Sequence, residues 1–187
     1  GSVNVRDADA YKAWLESTAE ALGGCDIFIP NVSAGAGMDS EKNWWRSFEV
    51  DVLHPVRGCE TLMERLKASG SGSVVIISST NALETFGGPM AYNAMKAGLI
   101  NYAKNLSQFV GRHNVRVNTV CPGPIYFEGG AWEMIKGTNP KFYEATEKAM
   151  PNRRFGSPEE VARTVAFLAS PAASIITGAN VVADNGY

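Results

Sequence analysis

The chain has 187 residues, 45% of them hydrophobic and 19% charged, which suffices for one domain with a sizeable core and excludes intrinsic disorder. Lys+Arg 17 against Asp+Glu 19 gives a formal net charge of -2, so there is no basic excess to neutralise a phosphate backbone, and no nucleic acid partner is expected. No run approaches the roughly 18 apolar residues of a membrane span, and the first residues carry no apolar signal-like core, so the chain reads as cytoplasmic with no membrane partner.

In chain order, Asp7 is placed to cap a helix whose apolar positions Tyr11, Trp14, Leu15, Ala19 and Leu22 recur at helical spacing until Gly23-Gly24. Residues 26–30 form a short apolar run between turn formers, which reads as a buried strand. A helix is predicted over about 39–69, interrupted near His54-Pro55. The strongest strand signal is 73–78, centred on Val74-Val75-Ile76-Ile77, and a helix follows over about 91–110 until Gly111. The strand 115–121 is cut off by Pro122-Gly123-Pro124. Residues 124–156, rich in Gly, Pro and aromatics, read as an irregular, partly helical insertion. Ser157-Pro158-Glu159-Glu160 is a helix-start signature, and a last strand covers 180–183. Such alternation predicts a parallel sheet with helices on both faces, whose ligands sit beyond the carboxyl ends of the strands.

Metal chemistry has no support in this pattern. Cys25, Cys59 and Cys121 are far apart, His54 and His113 are the only histidines, and no ligand set has zinc-site spacing. Proton chemistry has more. Tyr92 and Lys96 lie four residues apart and share one face of a predicted helix, where an ammonium would favour ionisation of a phenol whose ordinary pKa is about 10. Taken alone, such a pair is more often a solvated face. Ser79 changes the balance, because it stands just past the 73–78 strand, where its hydroxyl would meet the same crevice. The segment Ala34-Gly35-Ala36-Gly37 also follows a strand, but a Gly-x-Gly without a third glycine is a weak phosphate cradle.

With these residues in order, the chain resembles the short-chain dehydrogenase/reductase family over essentially its whole length. Tyr92 and Lys96 match the family's Tyr-x-x-x-Lys motif and Ser79 its serine. Val115-Arg116-Val117-Asn118 before Pro122-Gly123, and Thr177-Gly178 with Asp184-Asn185-Gly186, match two further blocks. The resemblance implies a Rossmann-like doubly wound parallel sheet in a three-layer α/β/α fold, lacking its first βα units, as a single domain over 1–187 with a lid-like insertion at about 126–156. It implies hydride transfer between NADP or NAD and a carbonyl, alcohol or acyl substrate, 3-oxoacyl reduction being one form. Tyr92 would be the general acid/base, Lys96 would lower the Tyr92 pKa, and Ser79 would bind the substrate oxygen. Asn31, Tyr92, Lys96, Pro122, Gly123 and Ile125 would hold the cofactor. A homodimer or homotetramer is also implied, with Leu62, Leu66, Leu99, Leu106 and Phe109 available to the interface.

The departures are as specific as the matches. Pro30-Asn31-Val32-Ser33 keeps one residue, Asn31, of the family's Asn-Asn-Ala-Gly. Asp51 stands at the position of the family's fourth catalytic residue, an Asn, and a carboxylate cannot donate as an amide does. Phe127 replaces a threonine. The family's glycine-rich phosphate loop has no counterpart here, so the chain reads as a trimmed oxidoreductase. Two other readings stand beside this one: a non-catalytic scaffold or inactive fragment, and a sugar-nucleotide epimerase of the extended branch, which the short insertion opposes.

Overall fold

The structure is a computed structural model that describes residues 1–35, 40–85 and 88–187. Among these, four strands pair in chain order and all in parallel: β1 (Ile27–Phe28), β2 (Ser73–Ile77), β3 (Arg116–Pro122) and β4 (Asn180–Ala183). Parallel neighbours require crossovers, and helices supply them. Helices α2 (Glu41–Ser47) and α3 (His54–Ala68) join β1 to β2, and α4 (Ala91–Val110) joins β2 to β3. Helices α5 (Ala131–Thr138), α6 (Pro140–Ala149) and α7 (Pro158–Ala169) lead to β4, while α1 (Ala8–Ala21) precedes β1.

The β2 side chains alternate between two cores. Val74 and Ile76 pack with Leu15 of α1, Leu62 and Leu66 of α3 and Leu99 of α4, whereas Val75 packs with Val120 of β3 and Val165 and Leu168 of α7. This is the predicted three-layer α/β/α arrangement. The predicted caps also form. Asp7 accepts from the Ala10 amide at 3.0 Å, and Ser157 with Glu160 closes a capping box.

Four expectations change. The 26–30 strand is only Ile27–Phe28, and it is not buried; as the absence of the family's preceding strand implies, it forms an open edge, and Ile27 and Ile29 remain 48% and 42% exposed because, among the described residues, nothing pairs with the outer side of β1. The 39–69 helix does not break at His54-Pro55. It runs through a widened π-turn, Phe48–Leu53, directly into α3. A proline lacks the amide hydrogen and crowds the carbonyl four residues earlier, and one wide turn relieves both while the helix continues. The predicted start at Asp39 lies outside the described residues, as do Ala36 and Gly37 of the Gly-x-Gly segment; Ser40 caps α2, accepting from the Asn43 amide.

The 124–156 segment is more helical than its composition suggests. Asn139 caps α6 and Pro140 opens it, while Tyr143, Met150 and Phe155 are buried in a small core of their own against Tyr126 and Trp132. Finally, Leu62, Leu66 and Leu99 are fully committed to the chain's own core and have no surface left for a subunit interface. Phe109, 69% exposed, is the residue of that set that faces outward.

Candidate active site

Because the strands run in one direction, the segments after β1, β2, β3 and β4 gather along one edge of the sheet. Ser78 and Ser79 follow β2 there, and they receive the first turns of α4. The Ser78 hydroxyl donates to the Lys96 carbonyl at 2.8 Å, and Lys96 Nζ donates to the Ile77 carbonyl at 2.9 Å. Both bonds fix helix against strand, so Tyr92, one turn earlier, is held over the end of β2. Tyr92 comes close enough to Ser79 for the serine to favour its ionised form, and the Ser79 Oγ accepts from the Asn81 amide at 3.2 Å. Ser79, Tyr92 and Lys96 are therefore brought together, with Lys96 Nζ 5.6 Å from the centre of the Tyr92 ring.

Asp51 joins them from the π-turn. The widened turn directs its side chain inward, and Oδ1 lies 3.4 Å from Lys96 Nζ, with the two side chains 0% and 3% exposed. The Ser33 hydroxyl, from the loop after β1, donates to the same Oδ1 at 2.6 Å. Asp51 Oδ2 is buried with no hydrogen-bond partner among the described residues. Ser33 and Ser78 lie in the strand-end segments where the sequence places ligands, but sequence reasoning assigned neither of them a role. Ser33 was visible only as one departure beside another at Asp51, and nothing in the sequence links positions 18 residues apart.

The electrostatics correct one expectation. Tyr92 is held above its ordinary phenol value, not below it: burial is the main cause, the Asp51 and Cys121 neighbourhood adds to it, and the Ser79 hydrogen bond opposes it. The Lys96 charge is answered by Asp51 and is not left free to favour a phenolate. Burial pulls Lys96 itself downward, with Asp51 resisting. Burial also pushes His54 down to about 4 and the Cys121 thiol upward, so both are neutral near pH 7.

A cavity of about 670 Å³ is lined by Asn31, Ile77, Pro122 and Ile125 at the ends of β1, β2 and β3, by Phe127, and by Val161, Val165 and Ala166 of α7; Ser79, Tyr92, Lys96 and Asp51 are not among its described lining residues. None of its described lining residues carries a charge, which suits a flat, largely apolar ring. The bridge between Ile125 and Gly156 is made through the flanking Pro124 carbonyl and Tyr126 amide, leaving the Ile125 peptide groups outside it. Gly123 is different. Its amide donates to the Ala183 carbonyl at 3.1 Å, and a Cβ there would come within 2.5 Å of Asp184, so sheet closure alone explains this glycine.

A family model described as enoyl-(acyl carrier protein) reductase matches residues 2–187. An isoepoxydon dehydrogenase of Penicillium expansum is 35% identical over 184 residues, covering 98% of this chain and 71% of that protein. An oxidoreductase of the short-chain dehydrogenase/reductase family from Burkholderia thailandensis superposes with a TM-score of 0.83 at 32% identity, over 99% of this chain and 71% of that one. The chain belongs to the short-chain dehydrogenase/reductase family. As a short-chain dehydrogenase/reductase it is an oxidoreductase, and its sheet is the Rossmann-like sheet of that family. L-sorbose reductase of Gluconobacter frateurii, solved with NADPH and L-sorbose, superposes with a TM-score of 0.88 at 29% identity, over 99% of this chain and 74% of that one. Among the described residues, no helix of this family member is long and apolar enough to cross a membrane.

Proposed function

We propose that this chain carries out the proton-transfer half of carbonyl reduction and alcohol oxidation, with Tyr92 as general acid/base, Ser79 as the group that binds the reacting oxygen, and Lys96 and Asp51 as their charged support. The observation that carries this reading is the convergence of Ser79, Tyr92 and Lys96 at one sheet edge. When bound, a nicotinamide cofactor supplies or accepts the hydride. Asn31, Pro122 and Ile125, which line the uncharged cavity, would hold the cofactor together with Tyr92 and Lys96, and Gly123 closes the sheet against Asp184.

In reduction, the phenol of Tyr92 gives its proton to the carbonyl oxygen as negative charge develops there, and the Ser79 hydroxyl donates a second hydrogen bond to that oxygen. Burial holds Tyr92 protonated and so favours the acid role. In oxidation, Tyr92 accepts the alcohol proton. The substrate class is a small uncharged ketone or alcohol. The apolar lining from Ile77, Ile125, Phe127 and Val161 supports this, as do relatives whose names specify a dehydrogenase of a small molecule and a sorbose reductase. Residues 126–156 would act as its cover.

The test is oxidation of NADH and NADPH in parallel against a panel of cyclic ketones, ketoses and a 3-oxoacyl thioester. Turnover is expected with a member of the ketone or ketose group, and Tyr92→Phe is expected to lower it by about 10²- to 10⁴-fold. An unchanged rate in that variant would remove Tyr92 as the acid/base, and absence of turnover with every substrate would favour the scaffold reading. Turnover confined to the thioester would move the substrate class to 3-oxoacyl compounds.

A further inference from the structure

One polar chain connects the loop after β1 to the site. The Gly35 amide donates to Ser33 Oγ at 3.1 Å, which orients the Ser33 hydroxyl hydrogen toward Asp51 Oδ1 at 2.6 Å; Oδ1 then faces Lys96 Nζ at 3.4 Å, and Nζ ends on the Ile77 carbonyl. Every contact of the carboxylate passes through Oδ1, because Oδ2 has no hydrogen-bond partner among the described residues. The orientation of this buried charge thus depends on two groups, one a cation and the other a hydroxyl at the surface. Ser33 supplies the only neutral donor of the two, and it lies on a different element from the π-turn it restrains.

We propose that Ser33 is a positioning residue that locks the Asp51 carboxylate onto Lys96 and so directs the lysine's charge toward Asp51 rather than toward Tyr92. The proposal rests on the assignment of Tyr92 and Lys96 to proton transfer. The titratable groups that face this pair are Asp51 from the π-turn, His54 from α3, Cys121 from β3, and Tyr92 and Lys96 themselves from α4. His54 and Cys121 are neutral near pH 7, which leaves Asp51 and Lys96 as the charges that act on the phenol. Releasing Asp51 from its fixed orientation weakens its hold on Lys96 and lets the ammonium act on Tyr92.

The experiment labels the tyrosine ring carbons with ¹³C and follows Tyr92, assigned by loss of its signal in Tyr92→Phe, through an alkaline titration. Ser33→Ala is expected to bring forward tyrosinate formation at Tyr92 by about half a pH unit or more, and Asp51→Asn by about one unit or more. Ser33→Thr, which keeps the hydroxyl, is expected to titrate as the unsubstituted chain does. In an Asp51→Asn background, Ser33→Ala is expected to add nothing. An unmoved Tyr92 in Ser33→Ala overturns the proposal, and so does an equal shift with and without the Asp51 carboxylate. If Asp51→Asn fails to fold, the comparison of Ser33→Ala with Ser33→Thr still decides, since a structural role alone would leave the Tyr92 titration in place. The titration needs no substrate, so its failure is distinct from failure of the oxidoreductase reading, which turnover of Tyr92→Phe tests.

Discussion

His54 is 3% exposed, packs with its ring tilted 56° to that of Tyr11 at a centroid distance of 5.4 Å, and sits directly after the turn that carries Asp51. Burial lowers its pKa from 6.5 to about 4, so the native protein keeps it neutral while the unfolded chain protonates it below pH 6.5. The unfolded state therefore binds more protons between those values, and stability falls as the pH drops from 6.5 toward 4, by about 3 kcal/mol for the whole interval. Thermal unfolding measured across that range is expected to show this loss, and His54→Gln to flatten it. A variant that keeps the full slope would place the acid sensitivity elsewhere. The Lys96–Asp51 pair obeys a related rule with a different result. Its desolvation is offset only while both partners remain, so Lys96→Met alone is expected to destabilise the fold by about 3 kcal/mol or more, read from urea unfolding, because it strands a buried carboxylate.

Among the elements, α7 packs its apolar face on the sheet, and one residue gathers the carbonyls of its carboxyl end. The Arg116 guanidinium, on β3, reaches the carbonyls of Leu168, Ala169 and Ser170 at the end of α7, the Ile176 carbonyl beyond it, and the Ser73 hydroxyl on β2. These carbonyls are the ones a helix end leaves unpaired, and a cation there also opposes the helix dipole. Arg116→Met is expected to cost about 2–3 kcal/mol by urea unfolding, and Arg116→Lys to recover little, since a point charge cannot cover several acceptors at once. At the other end of α7 the capping box contributes less. Ser157→Ala is expected to cost about 1 kcal/mol in the same measurement.

For the whole molecule, the decisive feature is the outer side of β1. A cavity of about 750 Å³ opens there, lined by Tyr11, Trp14, Leu15, Ile27 and Phe28, and next to it the backbone of a two-residue strand has no partner on that side among the described residues. An exposed apolar edge is a template for pairing with another chain. Ile27→Lys is expected to reduce self-association in sedimentation velocity and to leave the unfolding midpoint nearly unchanged, because Ile27 is half exposed already. Association that survives the substitution would direct attention to Phe109 and the outer face of α4 instead.

The signals that were legible in the chain were local or periodic. The Val74–Ile77 run, the Ser157 capping box, the four-residue spacing of Tyr92 and Lys96 and the βα alternation each follow from neighbours within a few residues, and these features predicted the parallel sheet and the helix that carries the site. What stayed hidden depends on chain segments that meet only after folding. The family resemblance put Asp51 in one catalytic set with Lys96, 45 positions away, but nothing in the sequence announces that the two form a buried ion pair or that Ser33, on a third element, joins it. The direction in which Tyr92 is pushed followed the same logic: a lysine one turn away suggested a lowered phenol, whereas desolvation and a carboxylate from the π-turn raise it. By itself the sequence determined the order of elements and the residue types available for proton transfer, because helix and strand periodicity are local properties. The tertiary structure alone decided which charge answers which, because burial and Coulomb interaction act through space.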